Sequence, residues 1–291
     1  MIYRTVTEAY SLFRPARRST PVVFSSPHSG RAYPAAFLAA SALDGQMIRS
    51  SEDAFVDELF SAAPAHGAPL LLAEMPRAYL DLNRARDELD PAVIEGVTRP
   101  PHNPRVSSGL GVIPRVVSQG RPIYRGKIAL AEAEARLTRH WHPYHDALHM
   151  LMQESLLAFD MAVLIDCHSM PHEAIESHAR PGQPRPEVVL GDRFGASAGR
   201  DVVERVEAAF RGAGLRVARN APFAGAYIAQ TYGRPSRRQH AIQIEIDRAL
   251  YMDEARIERR ADFAAFQRLI GGVVATIAQA FREDGTALAA E

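Results

Sequence analysis

Cysteine is nearly absent: Cys167 is the only one among 291 residues, which rules out an internal disulfide and fits a reducing cytoplasm. Net charge is absent as well. Lys plus Arg total 34 and Asp plus Glu total 34, so no global field draws the chain to nucleic acid or to an anionic membrane. Long apolar runs are missing, and stretches such as Pro69 to Ala73 fall far short of the ~20 residues that span a bilayer. The opening MIYRTVTEAYSLFRPARR has neither the apolar stretch nor the small-residue cleavage site of a secretory leader. Repeats and low-complexity tracts are also lacking. What remains is the expectation of a cytoplasmic protein whose partner is a small molecule, without nucleic acid or membrane.

What is present is an alternation of strand-like and helical segments. Strands are predicted at 21–26, 69–73, 78–82, 161–166, 187–191, 215–219 and 240–246, and helices at 51–66, 130–158, 198–212 and 254–282. This pattern predicts an α/β fold in which a central mixed, mostly parallel sheet carries helices on both faces, as a single domain over 1–291. Two proline-rich stretches, 86–126 and 171–186, read as irregular excursions from that sheet. Loops of such length are commonly functional.

In open α/β sheets the ligand site lies beyond the carboxyl ends of the strands. Leaving the first predicted strand the chain reads Pro27-His28-Ser29-Gly30, and leaving strand 161–166 it reads Cys167-His168-Ser169. Two histidines therefore reach one edge, and neutral imidazole is the usual nitrogen ligand of zinc. A carboxylate is a common third ligand. Glu52 and Asp53 open the predicted helix 51–66, where capping and ligation compete as explanations for both acids. His142, His145 and His149 share a helix face, but Trp141, Pro143 and Tyr144 around them favour packing.

In Gln243-Ile244-Glu245-Ile246-Asp247 the alternation puts the polar residues on one face of a strand and the isoleucines on the other. An acid in so apolar a strand is costly without a partner or a task, so Glu245 is a candidate general base. Asp81-Leu82-Asn83-Arg84 adds a guanidinium suited to a carboxylate or an oxyanion, with a salt bridge from Arg84 to Asp81 or Asp87 as the plain alternative. A cysteine hydrolase built on Cys167 and His168 is disfavoured, because neighbours on an extended strand face opposite ways.

Taken in order, SPHSG, EDAFVDEL, DLNR, IDCHSMP, YG and QIEID followed by YMD resemble the N-formylglutamate amidohydrolases from about residue 20 to residue 282. That family is similar in turn to the zinc carboxypeptidase and aspartoacylase group. The resemblance implies one divalent ion, zinc by expectation, held by His28, Asp53 and His168, with Asp166 orienting His168. Glu245 takes the place of the catalytic glutamate, assisted by Arg84. Asn83, Arg84, Ser169, Tyr227 and Gln230 fall at substrate-binding positions, and the implied substrate is an N-acyl amino acid such as N-formyl-L-glutamate. Where family members carry a stretch like GGxITRxYG, this chain has Gln230 in place of the arginine. A related deacylase or carboxypeptidase, or a non-catalytic binding protein of the same fold, are the alternatives.

Overall fold

The structure, a computed structural model, describes residues 2–98, 103–176 and 185–282. Pro100 and Pro101 of the first excursion, and His178, Pro181 and Pro184 of the second, lie outside them. Eight strands form one sheet: β1 (Ile2–Val6), β2 (Tyr10–Pro15), β3 (Val22–Ser26), β4 (Leu70–Ala73), β5 (Ala162–Met170), β6 (Val188–Gly191), β7 (Val217–Arg219) and β8 (Gln239–Asp247). Their spatial order is β1-β2-β4-β3-β5-β8-β6-β7. The central quartet β4-β3-β5-β8 is parallel, with β1 in the same direction, while β2 on one side and β6 and β7 on the other run against it, so the sheet is mixed as expected.

Helices cover both faces. On one side lie α1 (Leu130–Arg136) and α2 (His142–Phe159), joined by a π-helical turn at Leu137–Trp141. Pro143, which has no N–H to donate, lies two residues beyond that turn. Leu137, Trp141, Tyr144, Leu148 and Leu151 pack there against Val23, Leu164 and Ala241. On the other side α3 (Arg200–Gly212) and α4 (Phe263–Ala280) bury Val203, Val206, Phe210, Ile270, Val274 and Ile277 against Phe24, Ile165 and Ile244. Helix α4 is long and apolar enough to cross a bilayer by composition, yet this buried stripe is what a core helix shows.

Several elements depart from expectation. Residues 78–82 form turns, and Leu80 and Leu82 owe their apolar character to packing under α1 and α2. The expected helix 51–66 shrinks to single turns at Val56–Leu59 and Ala63–His66. Phe55 in the left-handed region, with φ 66°, and Pro64 inside the second turn prevent a continuous helix. Helix α4 starts only at Phe263, because Met252–Asp253 and Glu258–Arg259 pair as a small hairpin before it. The short helix Tyr227–Tyr232 and the edge hairpin β1/β2 were not predicted. All five residues of β1 are exposed, so it lacks the buried alternation that marks a strand.

For the site, the decisive feature is the length of β5 and β8. They pair in register from Ala162↔Gln239 to Met170↔Asp247, so His168 and Ser169 belong to the strand itself and not to a loop after Asp166. His168 stands directly beside Glu245 and Asp166 beside Gln243, and register partners in a parallel pair face the same side.

Candidate metal centre and active site

His28 leaves β3 on a tight path. A Cβ at Gly30 would lie 2.2 Å from the Met75 carbonyl oxygen, so glycine alone lets this segment pass the chain that follows β4. The Asp53 amide donates to the His28 carbonyl at 3.0 Å and holds the 50–55 segment against it. His28 Nε2 meets Asp81 Oδ1 at 2.7 Å, and this turns Nδ1 toward Asp53 Oδ2 at 3.4 Å. His28 Nδ1 is buried and has no hydrogen-bond partner among the described residues.

His168 repeats the arrangement from β5. Its Nε2 lies 3.0 Å from Asp166 Oδ2 and its Nδ1 2.9 Å from the same Asp53 oxygen. His28, Asp53 and His168 are all buried, and one ligand atom from each falls within 4.8 Å of the others, the one such His, Cys, Asp or Glu cluster among the described residues. Glu52 turns the other way, onto Arg49 and the Tyr33 hydroxyl. Asp53 is the acid that faces the histidines.

A carboxylate behind each imidazole is the partner that fixes the ring and leaves the opposite nitrogen free for a metal. Asp166 stands beside His168 Nε2 at ion-pair distance, although neither of its buried oxygens has a hydrogen-bond partner among the described residues. For His28 the carboxylate is Asp81, a residue that sequence reasoning treated only as a partner of Arg84. Arg84 Nη2 is in fact 4.0 Å from Asp81, whereas Arg77 Nε approaches to 3.0 Å. Arg248, at the end of β8, grips Asp53 Oδ1 at 2.9 Å and Ser169 Oγ at 3.1 Å.

The electrostatics follow from burial and crowding. Burial disfavours charge on Asp53 and Asp81, but His168 and His28 around the first, and His28 and Arg77 around the second, hold both well below the usual carboxylate range. Burial likewise opposes charge on His168, yet Asp166 and Asp53 overcome it and raise its pKa well above that of ordinary imidazole. Positive charge is favoured at this point, whether from a proton or from an ion. Glu245 differs: burial first, against the pull of His168, and then Asp53 push its carboxyl up to about 7.

Glu245 accepts a 2.7 Å hydrogen bond from Gln243 Nε2, and Gln243 Oε1 accepts from the Ala226 amide at 3.0 Å. Asn83 is tied down at both ends, its Nδ2 close to His168 and Gln243 and its Oδ1 accepting from the Ile228 amide at 2.8 Å. Arg84 donates to the carbonyls of Leu110 and Asn83 through Nε and Nη1 and borders the cavity. That cavity, of about 620 Å³, is lined by His28, Asp53, Asn83, Arg84, His168, Ser169 and Glu245. Tyr227 and Gln230 do not line it. Tyr227 packs against Trp141 and His145, and Gln230 is exposed on the outer side of its short helix.

Cys167 points into the opposite core, beside Ile165 and Ile244. Burial raises its thiol pKa well above the ordinary value, so it is no nucleophile. His145 is a packing residue: its Nε2 lies 2.9 Å from the Leu82 carbonyl and its Nδ1 3.0 Å from the Tyr232 hydroxyl.

Residues 20–252 match the N-formylglutamate amidohydrolase family. The chain belongs to that family. It is 31% identical over 259 residues to an N-formylglutamate deformylase of Pseudomonas aeruginosa, covering 87% of this chain and 91% of that protein. An N-formylglutamate deformylase of Pseudomonas putida is 29% identical over 241 residues, or 80% of this chain and 82% of the relative. The crystal structure of an N-formylglutamate amidohydrolase from Ralstonia eutropha superposes with a TM-score of 0.88 at 36% identity, over 95% of this chain and 99% of the other. As a member of the family the chain is a hydrolase of a carbon–nitrogen amide bond.

Proposed function

We propose that the protein is a metal-dependent amidohydrolase that cleaves N-formyl-L-glutamate to formate and L-glutamate. The observation that carries this reading is the convergence of His28 Nδ1, His168 Nδ1 and Asp53 Oδ2, with a separate carboxylate behind each imidazole. Two imidazoles and one carboxylate suit zinc, and an unpartnered buried His28 Nδ1 suits an ion as its partner. When bound there, the ion supplies Lewis acidity toward an amide carbonyl and toward water. The Pseudomonas relatives are named for N-formylglutamate, and its L form is the substrate proposed here.

Glu245 is the general base in this reading. With its pKa near 7 it accepts a proton from the attacking water and returns it to the leaving nitrogen at neutral pH. The carbon–nitrogen bond breaks, the water oxygen stays with formate, and the amine leaves protonated. Arg84 offers charge to the carbonyl oxygen or to the α-carboxylate, and Ser169, held by Arg248, lines the same wall. Asn83 acts chiefly by position, because its amide joins His168, Gln243 and the Ile228 backbone.

Metal analysis of protein purified without added metal, combined with formate release from N-formyl-L-glutamate before and after chelation, tests this reading. Bound metal near one equivalent and turnover abolished by the chelator are expected. Full turnover in chelated protein would remove the metal from the reading.

A further inference from the structure

Four guanidinium groups line the cavity: Arg77, Arg84, Arg105 and Arg248. Three are committed. Arg77 holds Asp81, Arg248 bridges Asp53 and Ser169, and Arg84 spends two nitrogens on backbone carbonyls. The guanidinium of Arg105 has no hydrogen-bond or ion-pair partner among the described residues, although its backbone is fastened on both sides. Its amide donates to Asn103 Oδ1 at 2.9 Å and its carbonyl accepts from the Leu110 amide at 2.8 Å. The Leu110 carbonyl in turn accepts from Arg84 Nε at 2.8 Å.

Leu110 thus ties the backbone of Arg105 to the side chain of Arg84, and both cations border one cavity. Burial, then Arg77 and after it Arg105, lower the pKa of Arg84, while Asp81 and Glu88 oppose this. Two like charges on one cavity are costly until an anion lies between or beside them. Gln230, at the position where an arginine was expected, is exposed and outside the cavity. A fastened backbone with a free, planar, permanently charged end is suited to bidentate capture of a carboxylate.

We infer that Arg105 is the specificity-determining residue of this enzyme, holding the substrate carboxylate remote from the scissile amide and so selecting acidic N-acyl amino acids. The inference rests on the deformylase reading above and deepens it. Two measurements separate their failures. The first is kcat/KM for N-formyl-L-glutamate and for its neutral isostere N-formyl-L-glutamine, in wild type, Arg105→Ala and Arg105→Lys. The Ala variant is expected to lower the glutamate-to-glutamine ratio on the order of 100-fold, mostly through KM, with Lys recovering part of it. The second is glutarate binding by calorimetry, which needs no turnover. Affinity is expected to fall at least about tenfold in Arg105→Ala.

If both substrates lose the same factor and the ratio is preserved, Arg105 serves only the loop's structure and the inference is overturned. Unchanged glutarate affinity overturns it as well. A wild type that hydrolyses neither substrate, yet binds glutarate through Arg105, would sink the deformylase reading and leave the carboxylate clamp standing.

Discussion

The two faces of the β5/β8 pair are equally buried and chemically opposite. One presents Ile165, Cys167, Ile242, Ile244 and Ile246 to a wholly apolar layer. The other begins apolar, with Leu164 and Ala241, and turns polar toward its carboxyl end with Asp166, His168, Gln243 and Glu245. Burial alone therefore does not decide residue type. The polar face survives because its groups answer one another, Gln243 to Glu245 and Asp166 and Asp53 to His168, whereas the apolar face needs only volume.

The sharpest way to break this contrast is on the polar face. Glu245→Gln keeps the hydrogen bonding shape but cannot carry the proton, so turnover is expected to fall roughly 1,000-fold with the unfolding midpoint and metal content retained. Retained turnover in a formate-release assay would remove Glu245 from the chemistry.

His145 under the polar face supplies the next effect, on stability. Burial lowers its pKa from 6.5 to about 4, with the Leu82 carbonyl and His142 as smaller influences. The unfolded chain therefore binds the proton more readily than the folded one. Its contribution is complete above pH 6.5 and is lost as pH falls toward 4, in all about 3 kcal/mol at ~1.4 kcal/mol per pH unit. Denaturant titrations at neutral and acidic pH should show His145→Gln with a smaller loss between them than wild type. An equal loss in both would discount the buried histidine.

A smaller effect is expected at Asp81. Asp81→Asn leaves His28 without its carboxylate and should weaken metal affinity about 10–100-fold, read by competition with a chelator of known affinity. Smallest of all is a change on the apolar face. Cys167→Ala should cost about 1 kcal/mol of stability through a small void while leaving the turnover of folded protein intact. A large activity loss there would reopen the cysteine route.

Much of the candidate site was legible because it lies on strands and at their ends. The period of two separates Gln243 and Glu245 from Ile244 and Ile246 without any coordinates, and the His28 and His168 segments advertise themselves by position. The Glu52 and Asp53 pair was not resolvable in that way. Adjacent acids in an irregular segment differ only in direction, and the direction came from the His28 carbonyl and from Phe55. Strand 78–82 failed for a related reason, since an apolar loop buried under helices shows the same alternation as a strand.

By itself the sequence determined the layered α/β pattern, the histidines of the candidate centre and the placing of Glu245, because these depend on local periodicity and on short motifs. Tertiary structure alone decided that Asp53 and not Glu52 turns inward, that Asp81 backs His28, that Arg248 braces Asp53, and that Gln230 faces outward while Arg105 borders the cavity. Each of those depends on groups distant in the chain meeting across a buried gap. Local sequence carries no record of such a meeting, and the register of β5 on β8 and the course of the 81–110 segment create it.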